Sequence, residues 1–214
     1  FLFPLPDSEQ KAEGKSEGLI ASLKHTNFSF ESIAMIVIGF TCTGTFQLWL
    51  NCAQNFAKEN VGWANPSIMQ TYYSAGTLMA LVVTSLLTRK IKDVRFILVY
   101  PVICLVTLVA VLIGHSQTLM IAGAFIIDWA GAGGLLQIVT SVCNMLFPKI
   151  KGTVTALVMI ASSLCNYTIL TAASKMAPSH VMIMNIVLTA IGVLLGLFVN
   201  ARYAKMVSLA ESDE

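Results

Sequence analysis

Six apolar stretches divide this 214-residue chain, at 32–56, 66–88, 94–114, 118–147, 153–173 and 181–201. A helix needs about 20 apolar residues to cross the hydrocarbon core of a bilayer, and each stretch reaches that length. Backbone polar groups in lipid must be satisfied within the segment, so apolar runs like these span as α-helices. The basic residues between them are one-sided. Lys11, Lys15 and Lys24 precede the first stretch, and Arg89, Lys90, Lys92 and Arg95 fall around the second connection. Lys149 and Lys151 sit at the fourth connection, and Arg202 and Lys205 follow the sixth stretch. Only Lys58 and Lys175, of 13 Lys and Arg, are left for the opposite face. Cytoplasmic loops retain Lys and Arg. The pattern therefore predicts a multi-pass protein of the cell membrane, with the lipid bilayer around it and both termini cytoplasmic.

The composition leaves little room for other classes. Hydrophobic residues make up 56% and charged residues 11%, far from the mix of a soluble domain. No basic face exists beyond what topology explains, so no nucleic-acid partner is expected. Cys42, Cys52, Cys104, Cys143 and Cys165 all fall inside the apolar stretches without a Cys-x-x-Cys pair. They read as packing residues, and neither a metal nor a cofactor is expected. The chain opens Phe1, Leu2, Phe3, Pro4 without a preceding basic region, which does not fit a signal peptide. It reads as the end of an earlier membrane segment, with further chain expected before Phe1.

Three parts follow. Residues 1–30 are a polar cytoplasmic linker, 31–204 the six-helix domain, and 205–214 a cytoplasmic tail whose last residues, 208–214, are expected to be disordered. The fourth stretch is long and holds Gly131, Gly133 and Gly134, which predicts a tilt or a kink. Stretches one and four are the long, polar members of two groups of three, and three and six are the most uniformly apolar. An odd number of spans per group makes the second triplet inverted relative to the first. Weak inverted repeats of three helices are a mark of secondary transporters. The expected fold class is all-α integral membrane, with six transmembrane helices as two inverted three-helix repeats.

Polar residues inside these stretches are the candidates for function. At 100° per residue, Thr43, Gln47, Asn51, Gln54 and Asn55 share a sector of about 120° on the first helix. Unsatisfied amides facing lipid cost several kcal/mol, so this face meets other helices or water. Interhelical hydrogen bonding would account for one amide; four on one face favour a cavity wall that binds a polar solute. Gln70, Tyr73, Ser74 and Thr77 form a stripe on the second stretch, and Thr155, Ser162 and Asn166 one on the fifth. Asp128 is the one acidic residue deep in a span, a default candidate for proton or ion coupling. Gln137, Ser141 and Asn144 lie almost opposite it on a straight helix, so either the glycines break the helix or one group faces a packing partner. Trp49 and Trp129 read as space-filling, Trp63 as an interface anchor. Gly192 and Gly196 would permit close helix contact, and His115 and His180 read as solvated turn residues. No cationic residue sits in mid-span, which gives no support to an anionic substrate.

Taken together, the stretches resemble the C-terminal six-helix half of a major facilitator superfamily transporter. Gln70-Thr71-Tyr72-Tyr73-Ser74-Ala75-Gly76-Thr77 followed by Thr88-Arg89-Lys90-Ile91-Lys92-Asp93-Val94-Arg95 is similar to helix 8 and the basic turn after it. The turn keeps the basic residues and lacks the family's glycine-aspartate opening. Phe147-Pro148-Lys149-Ile150-Lys151-Gly152 is similar to the turn between helices 10 and 11. The Tyr-Tyr-x-x-Gly pattern is weakly similar to fucose-permease-like sugar symporters. The resemblance implies half of a twelve-helix fold, with an N-terminal six-helix half as its partner. It further implies substrate contacts from Gln47, Asn51, Gln54, Asn55, Gln70, Tyr73 and Asn166, and proton or ion coupling by Asp128. The expected activity is secondary transport of a small polar solute, a sugar or similar metabolite, by alternating access. No mid-span Ser–His pair, aspartate pair or His-Glu-x-x-His argues for an intramembrane enzyme. The remaining alternative is a non-transporting membrane scaffold or subunit, whose polar stripes would be closed by packing.

Overall fold

A computed structural model describes residues 30–87, 93–146 and 151–212. The linker and the basic turns at 88–92 and 147–150 lie outside the described residues. The chain is helical almost throughout: α1 Phe30–Glu59, α2 Ile68–Leu87, α3 Asp93–Gly114, α4 Gln117–Ile127, α5 Leu136–Leu146, α6 Lys151–Ala173 and α7 Pro178–Ser212. A π-helical segment, Asp128–Leu135, joins α4 to α5.

Four of these helices are long and apolar enough to cross a membrane: Ile33–Glu59, Asp93–Gly114, Gly152–Ala173 and Pro178–Tyr203. α2 has 20 residues, but Gln70, Thr71, Tyr72, Tyr73 and Ser74 make its first half polar. The fourth apolar stretch is broken rather than continuous, with Gln117–Gly131 as a shorter apolar helix. The expected kink takes the form of the π-helical segment, which covers all three glycines. Such segments widen the turn locally and shift the register of side chains on either side. The tail departs from its expected disorder, because α7 runs on to Ser212. Residues 201–212 hold no Gly or Pro, and eight of the twelve are Ala, Arg, Lys, Met, Leu or Glu, all good helix formers.

α1 is the central helix. It packs along α6 and α7, and it touches α4, the π segment and α5 on its other side. α2 lies on α4 and the π segment, and α3 lies between α7 and the α4–α5 arm. Two ends of the bundle can be told apart. At one, Phe56 of α1 stacks edge-on against His115 between α3 and α4, with ring centroids 5.8 Å apart. Glu59, Ala173 and Pro178 share a cavity at that same end. At the other, Phe30 meets Phe198 at 5.2 Å, and Ser141 Oγ donates to Asp93 Oδ2 at 3.1 Å.

Glycines set how closely α7 approaches. At Gly192 a Cβ would stand 3.0 Å from Thr41 Oγ1, and at Gly196 it would stand 2.7 Å from the carbonyl oxygen of Ile97. That carbonyl is the one left without a helical donor by Pro101, four residues on in α3. The two glycines thus seat α7 on α1 and α3 at once. All five cysteines are free, four buried and Cys52 half-buried. Trp49 is buried against Gly123 of α4, and Trp129 lies 5.6 Å from the Tyr100 ring.

Candidate functional site

The polar residues of the spans separate into four groups, and packing decides which group each joins. The deepest is at Asp128. α2 meets the end of α4 backbone to backbone at Gly76, where a Cβ would stand 2.5 Å from Phe125 O and 3.2 Å from Trp129 N. This close approach lays the next residue, Thr77, over Asp128, and Thr77 Oγ1 donates to Asp128 Oδ2. Tyr73, one turn earlier and itself buried, turns its hydroxyl toward the same carboxyl. Asp128 is fully buried and its Oδ1 has no hydrogen-bond partner. A buried oxygen left without a donor is costly to the fold. Among the described residues Thr43, Trp129, Asn166 and Asn185 also hold a buried side-chain atom without a partner, and of these residues Asp128 is the ionisable one. The choice left open by the sequence now has its answer in placement: Asp128 faces α2, whereas Gln137 and Ser141, beyond the π segment, are exposed. Asn144 accepts from Thr155 Oγ1 at 2.9 Å.

A second group lies between α1 and α2. Gln54, Gln70 and Tyr73 line a narrow cleft of about 10 Å³ beside Trp49 and Met69, near the least space that holds one water. Tyr73 belongs to both groups, and so connects the cleft to Asp128.

The third group lies on the other side of α1. Asn51 and Asn55 are exposed and line a cavity of about 380 Å³ between α1, α6 and the start of α7. Asn51 Nδ2 donates to Gln47 O at 2.8 Å and to Gln47 Oε1 at 3.2 Å, so Gln47 braces this wall from one turn below. The single sector read from the sequence is therefore split. Gln54 turns toward α2, and Asn51 and Asn55 turn toward α6 and α7. Glu59 and Ser174 share the cavity wall. The sequence reading passed over them because both sit at helix ends, where a polar residue carries no signal of its own; the spacing of Glu59 four residues after Asn55 was the available clue.

The fourth group is held by its own hydrogen bonds, with Asn185 Oδ1 left without a partner and a void of about 10 Å³ beside Thr45 and Thr189. Thr45 Oγ1 and Thr189 Oγ1 lie 2.8 Å apart, Asn185 Nδ2 donates to Thr45 O at 3.1 Å, and all three residues are buried. Asn185 and Thr189 had not been singled out, because α7 is otherwise apolar. On α6, Ser162 Oγ donates to Val158 O at 2.9 Å and reaches Gly39 O of α1 at 3.5 Å. Asn166, half-buried with an unpartnered Oδ1, lines neither the cleft nor the cavity. Among the described residues no three His, Cys, Asp or Glu side chains gather as a metal site.

The arrangement defines a multi-pass helical membrane protein with polar groups held inside apolar helices, and known proteins extend that. The chain is 33% identical over 214 residues to the uncharacterized MFS-type transporter YfkL of Bacillus subtilis (strain 168), covering 95% of this chain and 53% of that protein. It is 23% identical over 189 residues to the inner membrane transport protein YdiN of Escherichia coli (strain K12), covering 86% and 45%. It is 26% identical over 192 residues to the inner membrane transport protein YdiM of the same organism, covering 86% and 47%. No protein-family model matches the chain, and no solved structure does. Over most of its length the chain is similar to an MFS-type transporter and to two inner membrane transport proteins. It spans about half the length of the curated relatives it matches.

Proposed function

We propose that this chain is the C-terminal six-helix half of a secondary transporter that moves a small polar solute across the cell membrane by alternating access. One observation carries the reading: Asn51 and Asn55 stand exposed along a helix otherwise apolar enough to span a membrane, facing a cavity rather than a helix. A scaffold would close such amides by packing, as the Thr45–Thr189 contact is closed. In this reading α2 and the broken α4–π–α5 arm are the remaining two spans, and the two triplets are inverted repeats. The basic residues place the Asp93 end in the cytoplasm and the Glu59 end outside. An N-terminal six-helix half completes the path, with solute bound between the halves near the midplane.

Asp128 is the coupling group of this proposal. Its Oδ2 is held by Thr77 and its buried Oδ1 has no hydrogen-bond partner, so a proton can be taken up at Oδ1 without dismantling the Thr77 support. The test uses the full-length protein in cells. External alkalinisation on adding each member of a panel of sugars and small polar metabolites identifies a proton-coupled substrate. With that substrate, Asn51→Ala and Gln47→Ala raise the KM for uptake, and normal kinetics in both would remove the wall from binding. Asp128→Asn abolishes the alkalinisation; a variant that still alkalinises the medium would remove Asp128 from coupling.

A further inference from the structure

The cavity beside Asn51 and Asn55 has a chemistry of its own. Its volume of about 380 Å³ holds roughly a dozen waters at liquid density. Its polar wall is Asn51, Asn55, Glu59 and Ser174, set against the apolar side chains of Leu170 and Val181. What this wall offers is mostly acceptors. Asn51 has its Nδ2 committed to Gln47, which leaves Oδ1 to accept. Ser174 Oγ donates to Thr171 O at 2.9 Å, which leaves its lone pairs. Glu59 adds a carboxylate, and among the described residues no Lys, Arg or His joins the wall. Lys58 and Lys175 occupy neighbouring positions but are exposed outside it.

The backbone points the same way. α1 ends at Glu59 and α6 ends at Ala173, so two helix C-termini, the negative ends of their dipoles, border the cavity; the last four carbonyls of α6 are already taken by Ser174, Lys175 and Met176. The N-terminus of α7 also borders the cavity, and two of its first four residues supply no free N–H. It begins with Pro178, which has no N–H, and the Val181 N–H is taken by Ala177 O at 3.1 Å.

We propose that this cavity is a binding site for a small protonated amine, with Glu59 as the counter-charge and Asn51, Asn55 and Ser174 as acceptors for its N–H groups. It would be the outward-facing site at which the transported solute is first held, and in that respect it rests on the orientation proposed above. A cation is favoured over a neutral sugar because Glu59 supplies a full counter-charge, which a neutral polyol does not use. An anion is disfavoured by the carboxylate and by both C-termini.

Cys52, half-buried and part of the same wall, is a native reporter. The test labels it in the full-length protein with a cationic and an anionic methanethiosulfonate, in intact cells and in opened membranes, with Cys52→Ser subtracted as background. Glu59→Gln is expected to lower the ratio of cationic to anionic labelling rates by about threefold or more, the scale for removing one nearby charge at a wet site. Glu59→Asp keeps the ratio and guards against a merely structural loss. Ethylammonium chloride is expected to slow labelling in the unmodified protein and not in Glu59→Gln, with sodium chloride and propanol as controls. A ratio unchanged in Glu59→Gln, or no protection by ethylammonium, overturns the amine site wherever the reagent enters. Labelling confined to opened membranes overturns the orientation instead, and the ratio measured there still judges the site.

Discussion

Two polar stripes run along α1, and they differ in what they meet. Thr45 faces α7, where Thr189 and Asn185 close it off with hydrogen bonds at 2.8 and 3.1 Å. Asn51 and Asn55, six and ten residues further along and rotated toward α6, face a cavity of about 380 Å³. Both stripes are uncharged polar side chains on the same helix, about 9 to 15 Å apart along its axis. The partner makes the difference: α7 presses onto α1 where Gly192 lets it approach, and the helices splay where α6 ends and α7 begins. A polar residue in a span thus has two meanings, and only its surroundings decide between glue and binding wall.

The sharpest way to break that contrast is at Asp128, which is buried like the seam yet leaves one carboxyl oxygen without a hydrogen-bond partner. Asp128→Asn is expected to reduce proton-coupled accumulation at least about tenfold, the scale for losing an essential proton-transfer group, read as the accumulation ratio under an imposed pH gradient. Thr77→Val should give a smaller loss, because it leaves the carboxyl and removes only its brace. At the open wall, Asn51→Ala and Asn55→Ala should each raise the KM for uptake about fivefold to tenfold, as the loss of one hydrogen bond to a bound solute would. At the closed seam, Thr45→Val with Thr189→Val should change uptake by less than about twofold. A double-mutant cycle on detergent-solubilised protein should show a coupling of about 0.6 kcal/mol, the average for such contacts between membrane helices. A large uptake defect from the seam pair, with none from Asn51 and Asn55, would reverse the assignment of the two stripes.

Much of the helical layout was legible because apolar length and glycine content act locally. The break near Gly131 follows from the sequence in this way, and its form as a π segment does not, since that depends on α2 closing against it at Gly76. The continuation of α7 to Ser212 was missed by treating a polar tail as disordered although its residues are good helix formers. For the site, spacing placed Gln54 and Asn55 on one face, yet the two sit at opposite edges of a sector wide enough to meet different neighbours. Helical periodicity gives the angle of a side chain around its own axis and says nothing of where the next helix stands. Asn185 and Glu59 were missed for the same reason: each acquires meaning only from a residue on another helix.

The central claim is that the wall at Asn51 and Asn55 is open to water while the seam at Thr45 is closed. Single cysteines at positions 45, 47, 51 and 55 of the full-length protein, probed in intact cells with a membrane-impermeant maleimide, test it directly. Labelling at 51 and 55, weaker labelling at 47 and none at 45 is the expected pattern. Equal protection at all four positions would contradict the account and favour a scaffold whose polar stripes are filled by packing.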